Sequence, residues 1–306
     1  MMVDRDHVRK AAERLAHRVR HTPTVELPVP GMPGTISAKL EFLQHTGSFK
    51  PRGAFSTVLA SQPAGGLIAA SGGNHGLAVA YVADQLGYVA DIFVPSIISA
   101  AKLAGLQATR ATVHVVEGIY ADALKAAQHH QAVTGGLAVH AYDDPLVVAG
   151  QGTVGKELDE QTPDLDTVLV AVGGGGLMAG IAAWFEDSVR IVGVETRGTA
   201  TWAAALAAGE PTDVDVSGVA ADSLGATSIG SVPFDVLRQW VNDSVLVEDD
   251  DVRSAQRYLW SIARIVAEPG GAVALAALLS GAYRPGPAER VGIIVCGANT
   301  DPAGVV

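Results

Sequence analysis

The chain has 306 residues, is 48% hydrophobic and 17% charged, and carries a formal charge of −11. That length suits about two domains, and the composition excludes disorder in favour of a globular α/β protein with a large core. The acidic balance argues against nucleic acid and anionic membranes as partners, and the single cysteine, Cys296, excludes an internal disulfide framework and fits a reducing cytoplasm. The N-terminal segment is charged from its fourth residue and lacks an apolar stretch, so no secretory signal is expected.

Residues 6–20 place Val8, Ala11, Ala12, Leu15 and Val19 on one helical face, and His21-Thr22-Pro23 ends that helix. Strand-like runs follow at 24–27 and 36–40, and a polar turn leads into a helix near 49–60. From Leu67 strands and helices alternate. Strand LIAAS and loop SGGNHG precede a helix closed by Gly87; strand VADIFVP, a helix near 97–108, strand TVHVV, helix YADALKAAQHHQAV and the short strand LAVHAY follow. This series over 67–142 predicts a small open parallel sheet.

Larger units resume after AYDDP. They are helix 146–160, strand 167–172, a glycine loop, helix 177–186, strand 189–194 and helix 199–208. A loop-rich segment 209–232 follows, then strand 244–247, helices 249–265 and 270–280, and strand 290–296. The apolar stretch 168–185 is as long as a membrane span, but the four glycines inside it predict strand, loop and buried helix instead. The expected fold class is α/β, with two open, mostly parallel twisted sheets flanked by helices. A small domain, 65–142, is inserted in a larger one made of 1–64 and 143–306.

Four loop positions carry candidate chemistry. In SFKPRGAF (48–55), Lys50 lies between Phe49 and Pro51 at a helix start. Burial and the positive helix end both disfavour an ammonium there, and a neutral lysine is a nucleophile for carbonyl carbon. In SGGNHG (71–76), Ser71, Gly72, Gly73, Asn74 and His75 join a strand to a helix, so backbone amides can converge on an anion. In GGGGLMAG (173–180), Gly173, Gly174, Gly175 and Gly176 form a second backbone cradle suited to phosphate. The same segment also satisfies a dinucleotide pattern, with Gly174, Gly176 and Ala179 followed by Glu195 at the end of the next strand, which leaves a nicotinamide-dependent oxidoreductase open. In VCGANTD (295–301), the Cys296 thiol follows the last strand, where a small buried hydrophobe and a ligand-facing group are both admissible.

In this order, SFKPRGAF, SGGNHG, DDPLVVAGQGTVGKEL (143–158), VGGGGLMAGIA (172–182), EPGGA (268–272) and CGANTD (296–301) resemble the fold type II pyridoxal-phosphate enzymes with a tryptophan synthase beta-like fold. The branch is that of serine/threonine dehydratases and serine racemases, and the resemblance spans nearly the whole chain. It implies that Lys50 bonds to the cofactor aldehyde, Phe49 packs on the cofactor ring and Asn74 meets its 3′-hydroxyl. It further implies that residues 173–177 hold the phosphate, that Ser71 and the amides through His75 grip the substrate carboxylate, that Cys296 faces the ring nitrogen and that Glu268 lines the pocket. Tyr142, Ser223 and Leu224 are candidates for shaping the substrate pocket.

Departures from the family pattern refine these expectations. Pro51 stands where cysteine synthase and threonine synthase relatives carry Asp, which argues against their chemistry. Gly72 stands where serine racemases carry a second serine, which favours elimination over racemisation. The family's divalent-cation site would use Glu195, a carbonyl four residues on and an aspartate six residues on. Thr201 occupies the last place, so the site looks incomplete and cation binding is expected to be weak or absent. The expected activity is dehydration of a β-hydroxy amino acid to a 2-oxo acid and ammonia. A racemase, or a lyase for an unusual β-hydroxy amino acid, is the alternative. The family also implies a cytoplasmic homodimer, and the stop soon after CGANTD implies no regulatory domain.

Overall fold

The computed structural model of the chain describes residues 2–32, 34–241 and 243–305. Helix α1 (Arg5–Leu15) is capped by the Asp4 carboxylate, which accepts from the His7 amide, and buries Val8, Ala11 and Leu15. It is shorter than its apolar pattern, because the chain leaves helical geometry at Ala16 and His17 takes a left-handed conformation. Strands β1 (Thr24–Pro28) and β2 (Thr35–Lys39) pair antiparallel, and α2 (Pro51–Ser61) starts with a proline whose fixed φ suits a first helical turn.

The next seven elements are β3 (Leu67–Ala70), α3 (Asn74–Leu86), β4 (Ala90–Pro95), α4 (Ala100–Gln107), β5 (Thr112–Val116), α5 (Tyr120–Thr134) and β6 (Leu137–Ala138). Their strands form a four-stranded parallel sheet in the order β5-β4-β3-β6. The chain then runs through α6 (Pro145–Gln161), β7 (Thr167–Ala171), α7 (Gly176–Phe185), β8 (Arg190–Thr196) and α8 (Thr201–Ala208). It ends with α9 (Ser231–Trp240), β9 (Asp243–Val247), α10 (Asp249–Ala263), α11 (Pro269–Ser280) and β10 (Val291–Ile294). A six-stranded sheet results, ordered β1-β2-β10-β7-β8-β9 and parallel except at β1-β2.

Helix α9 is absent from the sequence expectation, which reads 209–232 as loop-rich and places nothing before 244. Its buried Pro233, Phe234, Val236 and Leu237 do follow a helical spacing. The proline masks it, although a first helical turn needs no amide there. The expected helix 199–208 divides into a 3-10 turn, Arg197–Thr199, and α8.

The apolar stretch 168–185 resolves into β7, the glycine turn and α7, whose residues are all buried. Helices α6 and α7 come close because a Cβ on Gly180 would lie 2.4 Å from the Gly152 nitrogen. Of the other glycines in the 143–158 motif, Gly155 also faces α7, whereas Gly150 admits α2, since a Cβ there would lie 2.6 Å from the Arg52 carbonyl. Among the described residues, no helix is long and apolar enough to cross a membrane.

The strand orders position the site. In the large sheet, β8 and β9 extend from one side of β7 while β10 returns on the other. In the small sheet, β4 and β5 extend from one side of β3 and β6 returns on the other. Open α/β sheets bind ligands beyond the carboxyl ends of their strands at such reversals. Gly173–Gly176 follow β7, Cys296 follows β10, Ser71–His75 follow β3, and Ala141 and Tyr142 follow β6. All of them line one cavity.

Candidate active site

The cavity measures about 550 Å³, the size of a small-molecule or cofactor pocket. Lys50 is its central ionisable group. Antiparallel bridging of Ser48 with Gly297, and the Phe49 amide donating to the Cys296 carbonyl at 3.1 Å, stitch the lysine turn to the turn after β10. Two residues further on, Arg52 is fully buried; it donates to Glu41 at 2.8 Å and to Glu157 at 2.7 Å. Lys39 joins the same Glu157 at 2.7 Å. A buried charge network therefore fixes the start of α2 against α6, and losing either partner would strand the other charge.

Lys50 Nζ donates to the Ala141 carbonyl at 2.8 Å. Burial lowers its pKa to about 8, against the opposing pull of Cys296 and Glu268. At pH 7 about a tenth of the amine is thus unprotonated, far more than for a lysine of ordinary pKa. His75 is also buried; desolvation and the nearby Lys50 lower its pKa to about 3, and its Nε2 pairs with the Val139 carbonyl at 2.8 Å. It is a neutral structural imidazole at the start of α3.

Two backbone cradles face the lysine. The first is the turn 173–177, where Gly175 adopts φ 84 as the N-cap of α7. Its middle glycines have no room for a side chain, since a Cβ on Gly174 would enter the Tyr142 ring at 2.3 Å and one on Gly175 would lie 2.5 Å from Ile229. The first amides of α7 have no partner within the helix, and they carry its positive end. The second is the turn 71–75 at the start of α3. Here the Ser71 hydroxyl accepts from the Gly73 amide at 3.3 Å, and Ile98 covers Gly72, with its Cδ1 2.5 Å from where a Cβ would stand.

Polar residues after β10 and before α11 complete the floor. Asn74 Nδ2 donates to Glu268 at 2.7 Å, and Asn299 donates to Asn74 Oδ1 at 2.6 Å. Burial raises the Glu268 pKa to about 7, opposed by the Asn74 hydrogen bond. The Cys296 thiol donates to the Gly270 carbonyl at 3.4 Å, and burial pushes its pKa far up, so it stays neutral.

Phe49, Lys50, Ser71, Gly72, Gly73, Asn74, His75, Gly173–Gly176, Leu177, Glu268 and Cys296 thus meet in one cavity, with Tyr142, Ser223 and Leu224. Glu195 does not join them. Its carboxylate is fully buried and accepts from the Trp202 and Ala203 amides at 2.7 and 2.9 Å. A ribose-binding role is thereby excluded, since the group faces the start of α8. Among the described residues, no group of three or more His, Cys, Asp or Glu is placed to hold a metal ion. Sequence reasoning missed Asn299, although the last motif contains it, and Ile98. It also missed Lys102, whose ammonium pairs with Asp222 across the cavity mouth.

The family of the pyridoxal-phosphate dependent enzymes matches residues 15–297. The chain is 35% identical to the L-threonine ammonia-lyase of Thermotoga maritima over 274 residues, which is 88% of this chain and 68% of that protein. Two solved structures superpose closely. The T.th. threonine deaminase has a TM-score of 0.91 at 33% identity, over 97% of this chain and 99% of that one. The maize serine racemase has a TM-score of 0.91 at 30% identity, over 99% and 95%.

Proposed function

This chain belongs to the pyridoxal-phosphate dependent enzymes, and on that premise we propose that it is an ammonia-lyase converting L-threonine, L-serine or a related β-hydroxy amino acid to a 2-oxo acid and ammonia. The observation that carries this proposal is Lys50, a half-buried lysine whose amine, with a pKa near 8, faces two glycine-rich helix starts. The residues fit the cofactor: a glycine cradle at a helix N-terminus suits a phosphate, and an amine that sheds its proton more readily than an ordinary lysine suits an aldehyde.

The turn 173–177 would hold the phosphate, Phe49 would pack on the ring, and Asn74 would meet the ring hydroxyl. When bound, the cofactor supplies an electron sink for charge at Cα. Ser71 and the amides of 72–75 would orient the substrate carboxylate. Lys50 Nζ would hold the aldehyde carbon in the resting enzyme and, as a free amine, take the Cα proton. The neutral Cys296 thiol cannot keep a proton on the ring nitrogen as a carboxylate would. That favours prompt loss of the β-hydroxyl over transamination.

Similarity to the L-threonine ammonia-lyase supports the substrate class. Racemisation is supported by the maize serine racemase likeness. It needs an acid–base group on the second face of Cα, and at Gly72 that place is covered by the apolar Ile98. We further assign 65–142 to a small domain and 1–64 with 143–306 to a large one, supported by strands β3 to β6 forming a sheet of their own. A cytoplasmic homodimer follows the family resemblance, and the free buried thiol fits a reducing compartment.

The test is a panel of L- and D-β-hydroxy amino acids scored for 2-oxo acid and ammonia, with chiral analysis of residual substrate. Lys50→Ala is expected to cut turnover by on the order of 10³-fold or more. Full turnover in that variant, or D-amino acid as the main product, overturns the proposal.

A further inference from the structure

We infer that Thr201 is a positioning residue for the phosphate-binding turn, holding it from behind through Gly173. Thr201 is fully buried and opens α8. Its hydroxyl donates to the Gly173 carbonyl at 2.5 Å and lies 3.3 Å from Glu195 Oε1. A trans peptide sets its C=O and N–H in opposite directions. Drawing the Gly173 oxygen back toward α8 therefore turns the Gly174 amide away from α8. The next peptide is pinned likewise, since the Gly230 amide donates to the Gly174 carbonyl at 3.1 Å, which sets the direction of the Gly175 amide. Two successive amides of the cradle are thus oriented by bonds made outside the cavity.

Glu195 anchors this device. Its Oε1 takes the Trp202 amide at 2.7 Å, and its Oε2 takes the Ala203 amide at 2.9 Å and the Ser244 hydroxyl at 3.1 Å. Three protein donors thus converge on one carboxylate that lies across the start of α8, and the Thr201 oxygen, whose single proton goes to Gly173, stands beside it. These donors are what a cation would have to displace, and Thr201 brings a hydroxyl proton where a hard cation needs an anionic oxygen. The residues present therefore do not fit a divalent cation. Glu195, by accepting from the first amides of α8, and Thr201, by donating to Gly173, organise this corner without a cation.

The inference rests on the phosphate occupying the 173–177 turn, and the experiment separates the two claims. Apoprotein of the wild type, Thr201→Val and Thr201→Ser is titrated with pyridoxal 5′-phosphate and with pyridoxal, which lacks the phosphate, and binding is read by absorbance. Thr201→Val is expected to weaken pyridoxal phosphate by about tenfold, the scale of one hydrogen bond. Pyridoxal affinity should be unchanged, and Thr201→Ser should return to within about twofold of wild type. Equal loss of both ligands would mark a merely structural role and overturn the inference, as would a serine variant behaving like valine. Wild-type protein that shows no preference for the phosphorylated ligand would instead overturn the placement of the phosphate, and this inference with it. Adding Mg²⁺ or a chelator to wild type should leave pyridoxal phosphate affinity and thermal midpoint unchanged; a saturable Mg²⁺-dependent rise that is lost in Glu195→Gln would overturn the cation-free organisation.

Discussion

The two glycine-rich turns are alike in sequence and unlike in attachment. The 173–177 turn lies between two buried elements, with its carbonyls tied back to Thr201 and Gly230 and its start packed beneath Tyr142. The 71–75 turn is half-buried up to Asn74, and apart from its own Ser71–Gly73 bond it is held through its last two side chains, Asn74 to Glu268 and Asn299 and His75 to Val139. Among the described residues, Ser71 to Gly73 have no such tie to a distant segment. It sits on a small sheet whose α4 reaches the opposite wall through Lys102 and Asp222, an exposed pair of little energetic weight. A rigid cradle suits a resident phosphate, and a more compliant one suits an amino acid that enters and leaves each cycle.

If that contrast holds, damage to each turn should be read by a different ligand. The largest effect is expected from Gly175→Ala. It combines a left-handed backbone, costing a side chain about 1–2 kcal/mol, with a Cβ 2.5 Å from Ile229 Cδ1. Cofactor affinity should fall by about tenfold to a hundredfold. The KM for the amino acid should change little once the cofactor is saturating. A rise in KM alone would reverse the assignment of the two turns.

Gly72→Ser should do the opposite. The new Cβ meets Ile98 at 2.5 Å, so KM should rise by about tenfold while cofactor affinity stays within about twofold. Adding Ile98→Ala should recover KM, because it opens the space the serine needs. If the double variant is no better than the single one, Ile98 is not the obstacle.

The smallest effect concerns the bond that ties the 71–75 turn to Glu268. The folded Glu268 pKa, about 7, lies above its ordinary 4.5. Between those values the folded state holds a proton that the unfolded chain has released, so stability falls as pH rises through that window. Glu268→Gln keeps an acceptor for Asn74 and removes the buried charge. Urea unfolding of the apoprotein should find the variant more stable at pH 8, by on the order of 1–2 kcal/mol, with the advantage gone below pH 4.5. A wild-type stability that rises from pH 5 to 8 relative to the variant would contradict this.

Part of the candidate site could be read from local chemistry, and the rest, including Phe49, Glu268 and the role of Cys296, only from the family resemblance. A lysine beside a helix-starting proline and glycine runs between strand and helix are properties of contiguous residues, and each indicates its backbone geometry without reference to the rest of the chain. The alternation of strands and helices likewise forecast two open sheets, because parallel strands need crossovers. Helix α9 escaped, since Pro233 within a loop-rich context hides a short buried face.

What the linear order could not supply was adjacency between distant segments. Glu195 is the clearest instance. Its spacing after the glycine loop suited a ribose ligand or a cation site, and only the packing of α8 against the end of β8 turned it into a buried acceptor of protein donors. The cover that Ile98 places over Gly72, the bond from Thr201 to Gly173 and the Asn299–Asn74–Glu268 chain arise the same way. Local chemistry is written residue by residue, whereas which lone pairs are already taken depends on how whole elements pack.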